Sequence, residues 1–330
     1  MTERNRIVEN DARPKKGDLI VTTGAGGFIA GNPAHDISAN HPFGISLGRR
    51  SSGGFTLIEL LVVIAIIAIL ASLLLPVLGN AKRQSQEIYC MNNLKQMTAG
   101  FIMYADDYRG YILPFENTNN GRSVTYQAGG FYVEPTLDTG WNSFQGQTQA
   151  AALSNAQQAL TTSPMYFYDK NVNSYHCPGD TRISRPTGQG FAFCGYSKAQ
   201  NYAGDPYEDY WEYGATLAKF SDVSAPSMTF MLVEDTDWRG FDVGTWVTQG
   251  VPNSDPWNFT WVDPCAMYHI NVNTWSFVDG HTEAHKWQDK AAIQAGQQAS
   301  QGVPTDTYPA ATSGPDYEYC RQRLRFPGWH

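Results

Sequence analysis

Charged side chains are scarce in this sequence, and basic ones are scarcer than acidic ones. Asp, Glu, Lys and Arg together make up 16% of the 330 residues. Residues 55–330 carry 16 basic and 26 acidic side chains, a net charge of −10, and no basic patch interrupts them. Because a nucleic-acid-binding surface needs Lys and Arg to neutralise phosphates, we exclude nucleic acid as a partner. The aromatic content of 13% favours a β-rich extracytoplasmic domain over a disordered one.

The cysteines form no C-x-x-C pair, and no arrangement of a nucleophile with a general base is recognisable. They are spread along the chain as Cys90, Cys177, Cys194, Cys265 and Cys320. A zinc knuckle or a thioredoxin-type motif is therefore unsupported, and we expect no enzyme activity. In an oxidising compartment, one or two disulfides are the expected use of these residues.

A long apolar run is the most distinctive stretch of the chain. Residues 55–75 are 21 in number and are apolar or small except for Thr56, Glu59 and Ser72. As a helix they would extend roughly 30 Å, enough for one membrane crossing. A carboxylate at that depth costs several kcal/mol unless it is compensated. Glu59 is therefore interpreted as a functional residue and not as an incidental residue of the membrane-spanning helix.

The start of this run carries a recognisable motif. Gly54 precedes Phe55, and Glu59 follows four positions later at the head of the apolar helix. This segment resembles the N-terminus of type IV pilins and type II secretion pseudopilins. The resemblance implies that a prepilin peptidase cuts between Gly54 and Phe55 and methylates the new amine of Phe55. It also implies that Glu59 meets the amine of a neighbouring subunit during assembly.

The resemblance predicts three regions. Residues 1–54 would be a disordered cytoplasmic leader that is removed, 55–108 a helix with a membrane half and an amphipathic half, and 109–330 an extracytoplasmic globular domain. The expected fold is α+β, with the long helix packed on an antiparallel sheet. Pro76 is expected to kink the helix or to mark the end of the membrane span. A buried helix face is predicted from the spacing of Met91, Leu94, Thr98, Phe101, Ala105 and Tyr108.

A second motif lies near the C-terminus. His269 is followed after nine residues by Asp279 and Gly280, which resembles the H-x9-DG pattern of many prepilin-processed proteins. Asp-Gly between two alternating runs predicts a hairpin over 269–287 with a type I′ turn. We expect His269 to bond to a backbone carbonyl or to Asp279 and to fix the entry of that hairpin.

Two metal-site alternatives accompany the main expectation that the protein has no cofactor. His269, Asp279 and His281, with His285 nearby, offer imidazole and carboxylate ligands for a transition metal. Glu234, Asp235, Asp237 and Asp242 follow a predicted strand and offer oxygen ligands for calcium, as does a second acidic loop of Asp205, Glu208 and Asp209. Neither cluster has the spacing of an EF-hand loop. The resemblance further suggests Cys90 and Cys177 as a disulfide pair.

The sequence thus predicts a structural subunit of a type II secretion or type IV pilus-like filament. Its expected partners are a prepilin peptidase, copies of itself or other pseudopilins, the inner-membrane assembly machinery and membrane lipid. The expected location is the inner membrane in a single pass, with the N-terminus cytoplasmic. The alternative is a tethered binding module that stacks carbohydrate or substrate on exposed tryptophans. These are Trp141, Trp211, Trp238, Trp246, Trp257 and Trp261.

Overall fold

One helix of 51 residues, α1 (Leu57–Asp107), dominates the computed structural model. The structure describes residues 54–114, 116–119, 122–127, 132–133, 144–202, 216–236, 245–250, 258–303 and 313–326. The predicted single helix from residue 55 to about 106 is confirmed, and its length is about 75 Å at the standard rise. Pro76 lies inside α1, and the helix continues on both sides of it. A kink at Pro76 stays a prediction.

The two halves of α1 differ in exposure. Among residues 57–78 every residue except the half-buried Ala71 is exposed, whereas the buried residues of α1 all lie between Cys90 and Ala105. Four members of the predicted face are buried, namely Leu94, Thr98, Phe101 and Ala105. Met91 is only half-buried, and the expectation for Tyr108 is wrong. Tyr108 follows the end of the helix, is 53% exposed and stacks on Tyr104 at a ring distance of 4.3 Å.

The central sheet has five strands in the order β10-β9-β5-β4-β6. Its first four strands pair antiparallel, but β4 and β6 pair parallel. The predicted α+β class is confirmed, and the expectation of a purely antiparallel sheet is corrected to a mixed one. Smaller sheets join β1-β2-β3 and β7-β8. The strands are β1 (Glu116–Asn119), β2 (Arg122–Gln127), β3 (Tyr132–Val133), β4 (Tyr196–Ala199), β5 (Phe230–Glu234), β6 (Thr245–Trp246), β7 (Thr248–Gly250), β8 (Phe259–Trp261), β9 (Val272–Phe277) and β10 (Thr282–Lys286).

Two hydrophobic cores lie on the two faces of this sheet. The first contains the buried residues of α1 and α2 (Gln149–Thr161) together with Met231 and Leu232 of β5. The second contains Phe230 and Val233 of the same strand with α3 (Lys290–Ser300) and α4 (Pro315–Arg321). A shift of register between Phe230 and Leu232 breaks the usual alternation. The bulge therefore explains why the neighbouring residues Met231 and Leu232 lie in the same core.

The C-terminal hairpin forms where the Asp-Gly signal predicts it, but its turn differs. Phe277 and His281 close the hairpin through a bond from the Phe277 N–H to the His281 carbonyl at 3.0 Å. The loop thus has three residues, and of these only Gly280 has positive φ, at +93°. A type I′ turn would need positive φ at two positions. The type I′ expectation is therefore wrong. The hairpin has a three-residue loop whose last residue, Gly280, is in the left-handed conformation.

Among the shorter helices, α2 and α3 lie where the sequence predicts them, and α4 does not. The Ala/Gln-rich stretches over 145–160 and 288–301 predict helices and form α2 and α3, whose first turns are capped by Thr148 and Asp289. Residues 303–330 are expected to be irregular, but α4 forms there. Pro315 occupies the first turn of α4, a position where the missing N–H and fixed φ of proline favour a helix start.

Candidate functional site

Four potential metal-binding side chains converge in the interior. Each offers one ligand atom, and these atoms all lie within 4.8 Å of one another. We call them the donor cluster: Cys90, Cys177, Glu234 and His269. All four residues are buried. Within the part of the chain that the structure describes, this is the only group of three or more such residues.

Four separate segments supply the donor cluster. Cys90 begins the buried half of α1, and Glu234 is the last residue of β5. Cys177 opens a Cys-Pro-Gly-Asp turn in which the Asp180 N–H donates to the Cys177 carbonyl at 2.9 Å, with proline at a position that favours turns. His269 stands just before β9, where Ile270 and Asn271 both have positive φ. The fold, not proximity along the chain, brings these residues together.

Contacts within the donor cluster are short. The Cys90 and Cys177 sulfurs are 2.9 Å apart, longer than the roughly 2.05 Å of a disulfide bond. The His269 Nε2 atom lies 2.9 Å from Glu234 Oε1 and 3.5 Å from Cys177 Sγ. His269 Nδ1 has no hydrogen-bond partner among the described residues. All polar contacts of the imidazole ring therefore run through Nε2, toward the carboxylate and the sulfur.

Burial and charge act against each other in the donor cluster. Burial alone lowers the pKa of His269, but the neighbouring Glu234 carboxylate outweighs it and raises that pKa to about 10. Burial alone raises the pKa of Glu234, and the charge of His269 outweighs it and lowers the pKa. Burial, with a hydrogen bond to Cys90, raises the pKa of the Cys177 thiol. His269 and Glu234 thus form a buried ion pair beside a protonated thiol.

Backbone groups orient the donor side chains. The Gly179 N–H donates to Cys177 Sγ at 3.3 Å, and the Thr274 N–H donates to the second Glu234 oxygen, Oε2, at 2.9 Å. Gly179 lies close to the histidine, since a Cβ built there would lie 3.0 Å from Tyr268 Cβ and 3.2 Å from His269 Cε1. The turn after Cys177 therefore packs directly against the histidine.

The structure separates His269 from the other residues of the first metal-site alternative. Asp279 instead accepts from the His281 backbone N–H at 3.2 Å and pairs with His281 Nδ1 at 2.5 Å, at the exposed hairpin turn. His285 pairs with Asp316 of α4 at 2.8 Å. The expected bond from His269 to Asp279 or to a backbone carbonyl is replaced by the bond to Glu234. His269, Asp279 and His281 do not form a ligand set.

The second alternative concerned calcium at Asp235, Asp237 and Asp242. Asp235 accepts hydrogen bonds from the Ser197 hydroxyl at 2.9 Å and from the Thr236 backbone N–H at 2.7 Å. Asp237 and Asp242 lie outside the described residues, as do the acidic residues of the 205–209 loop. The calcium site stays an untested expectation.

The tryptophans of the binding-module alternative are not a surface where the structure describes them. Trp246 is fully buried and Trp261 is 7% exposed, and both belong to the second core. They pack edge to face at 6.0 Å. The other four tryptophans of that alternative lie outside the described residues. Trp246 and Trp261 therefore stabilise the fold and do not offer stacking faces to a ligand.

The exposed half of α1 is a separate candidate site. By length and composition, α1 is able to cross a membrane, and no residue of its most apolar stretch is buried in the fold. Phe55, just before the helix, is 68% exposed, and Glu59 lies in the first turn of α1. An apolar surface this large needs lipid or another protein to cover it.

Comparison with known proteins points to the same segment. Residues 49–75 match the family described as the prokaryotic N-terminal methylation motif. The chain is also similar to the type II secretion system core protein G of Pseudomonas aeruginosa. The two are 29% identical over 105 residues, which cover 29% of this chain and 74% of that protein. No solved structure matches the chain.

These findings support a pilin-like or pseudopilin-like chain with a membrane-compatible N-terminal helix. The likeness of His269, Asp279 and Gly280 to the H-x9-DG pattern stays a prediction. Sequence reasoning named His269, Cys90 and Cys177 as special residues but placed Glu234 only in an acidic loop. Its position at the end of an otherwise apolar strand, Phe230–Glu234, was the one signal that a buried carboxylate needed a partner.

Proposed function

We propose that this chain is a prepilin-peptidase-processed subunit that polymerises through the exposed half of α1 in a type II secretion or type IV pilus-like filament. The observation that carries the proposal is the match of residues 49–75 to the methylation motif, on a helix whose apolar half is not buried by its own chain. A helix of this kind serves as a membrane anchor before assembly and as a packing surface after it.

Processing between Gly54 and Phe55 gives this arrangement a physical purpose. A cut just before the apolar helix leaves the anchor on the mature protein and creates a new amine at residue 55. In hydrocarbon, that amine and the carboxylate of Glu59 on an adjacent subunit stabilise each other, if subunits are staggered by about one helical turn. Polymerisation then compensates both charges, and methylation of Phe55 leaves its nitrogen positively charged.

The location and partners follow from this assignment. The leader of residues 1–54 would stay on the cytoplasmic side, and the domain from residue 109 onward would face the periplasm or the exterior. Prepilin peptidase, other pilin-like subunits, the inner-membrane assembly machinery and lipid are the proposed partners. The similarity to a type II secretion core protein supports the secretion system, and a pilus shares the same physical requirements.

Replacing Glu59 by alanine tests the assembly step. We expect Glu59→Ala to insert into the membrane and to be processed, but to lose filament formation. Glu87→Ala is the matched control, because Glu87 is a partly exposed acid of the same helix outside the apolar stretch. Sedimentation and electron microscopy of sheared fractions, with immunoblotting of membranes, measure both steps. Normal filaments from Glu59→Ala would remove Glu59 from the proposal.

A further inference from the structure

The donor cluster has the composition of a structural metal site, and it is not used by the proposed assembly function. It contains two thiols, one imidazole and one carboxylate, all buried. Zinc in proteins is held by Cys, His and Asp or Glu, and closed sites with four protein ligands serve structure rather than catalysis. We propose that the donor cluster binds one zinc ion.

The distances fit a tetrahedral centre after a small expansion. With zinc bonds of about 2.3 Å to sulfur and 2.0 to 2.1 Å to nitrogen or oxygen, tetrahedral ligands are separated by roughly 3.3 to 3.8 Å. Cys177 Sγ and His269 Nε2 are already 3.5 Å apart. The two sulfurs, and the His269 and Glu234 atoms, stand at 2.9 Å. Separating these pairs by less than about 1 Å, through side-chain rotation, makes room for the ion.

Backbone groups beside Cys177 and Glu234 match the second layer of a metal site, whereas His269 Nδ1 has no hydrogen-bond partner among the described residues. An N–H directed at a sulfur, as from Gly179 to Cys177, stabilises the thiolate that a metal requires. The Thr274 N–H holds one oxygen of Glu234 at 2.9 Å, which leaves the other oxygen facing His269. Tyr196 and Asn93 lie beside the cysteines and hydrogen-bond to each other at 3.2 Å. Cys177 and Glu234 are thus oriented before any ion arrives.

A disulfide between Cys90 and Cys177 is the competing explanation. It would use two of the four donors and would draw the sulfurs to about 2.05 Å. It leaves His269 and Glu234 as a buried ion pair 2.9 Å apart beside the two sulfurs and gives that pair no role. Zinc employs all four side chains, so the structure favours it over the disulfide.

The zinc centre would fasten α1 to the globular domain. Its ligands come from the helix, from the turn after Cys177, from the end of β5 and from the segment before β9. One ion would therefore tie the inner half of α1 to three other parts of the fold. The histidine of the H-x9-DG motif is then a metal ligand, and the Asp-Gly pair only makes the turn. This holds whether or not the chain polymerises.

Metal analysis of the full chain, purified in detergent without chelator from cells grown with zinc, tests the proposal. We expect one zinc per chain by mass spectrometry of metals. Cys90→Ser and His269→Gln should each lower the zinc content by at least about tenfold at matched free zinc. Cys265→Ser is the matched control, since Cys265 is also a fully buried thiol but lies outside the donor cluster. Its zinc content should be unchanged.

Cobalt substitution of the unaltered chain keeps the test valid if the variants do not fold. Co²⁺ should give an intense visible spectrum of tetrahedral cobalt with thiolate-to-cobalt charge transfer, and Zn²⁺ should displace it. Peptide mapping after alkylation without reductant should find both cysteines as thiols once the metal is chelated. A Cys90–Cys177 disulfide in the native protein, a metal other than zinc, or an octahedral cobalt spectrum would overturn the proposal.

Discussion

The two halves of α1 have similar helical geometry but opposite relations to the rest of the chain. Residues 57–78 are apolar and exposed, whereas the stretch from Cys90 to Ala105 places one face in the first core. The outer half is more hydrophobic yet is not covered by its own chain, so hydrophobicity alone did not decide which half is buried. The inner half is buried because residues of α2 and β5 pack against it in the first core.

This difference separates two kinds of stabilisation. The inner half is stabilised by intramolecular packing and, through Cys90, is connected to the donor cluster. The outer half has an exposed apolar surface that lipid or other subunits would cover. Substitutions in the outer half should therefore affect association more than folding.

The largest effect is expected where the inner half meets the buried ion pair. In the metal-free chain, His269→Ala leaves the Glu234 carboxylate buried and unpaired, which should lower the free energy of unfolding by about 3–5 kcal/mol. His281→Ala is the control, since its side chain is 36% exposed and its partners Asp279 and Glu283 are exposed to a similar degree. Its cost should stay below about 1 kcal/mol. Urea denaturation of the full chain in detergent, followed by tryptophan fluorescence, compares them. If both variants lost the same free energy of unfolding, the buried pair of His269 and Glu234 would stabilise the fold no more than the exposed pairs of His281.

The second comparison truncates one large side chain in each half. Phe101 is 1% exposed and Leu70 is 55% exposed. Phe101→Ala should cost about 3–5 kcal/mol through lost burial and a cavity, and Leu70→Ala should leave unfolding nearly unchanged while weakening filament assembly. Denaturation midpoints and pelleting assays give both quantities. If Leu70→Ala destabilised the monomer as much as Phe101→Ala, the two halves would not differ as described.

The smallest and sharpest comparison makes the same change at two glycines of α1. Ala favours a helix over Gly by about 0.5–1 kcal/mol. At Gly79 a new Cβ would meet only the Arg83 side chain at 3.6 Å, so Gly79→Ala should show that gain. At Gly100 the Cβ would lie 3.0 Å from Met165 Cε and 3.4 Å from Tyr168 Cβ. At Gly100, crowding of the new methyl group against Met165 and Tyr168 should therefore cancel the gain in helix stability. Amide hydrogen exchange around each site measures the sign, and a gain at Gly100 would contradict tight packing there.

Sequence patterns predicted what is local. The extent of α1, the hairpin at Asp279 and Gly280, and the helices α2 and α3 all follow from periodicity and turn residues within about twenty positions. The short α4 was missed because its signal is a single proline in the first turn. The turn type was wrong because a three-residue loop also ends in a left-handed glycine.

The donor cluster could be predicted only in part. Its residues are separated by 87, 57 and 35 positions along the chain, and no spacing rule connects them. The resemblance suggested that Cys90 and Cys177 meet, but only the packing of α1 against the sheet places Glu234 and His269 beside them. Asp279 was the expected partner of His269 because it is near in sequence. The actual partner is Glu234 at the end of β5, the strand that pairs with β9.

Intact-mass and N-terminal peptide mass spectrometry of the protein extracted from its native membrane tests the central claim most directly. Our account predicts a chain that begins at Phe55, carries a methyl group on its amine, and lacks residues 1–54. A membrane-extracted protein that retains those residues, or one whose first residue lies beyond the apolar stretch, would contradict it.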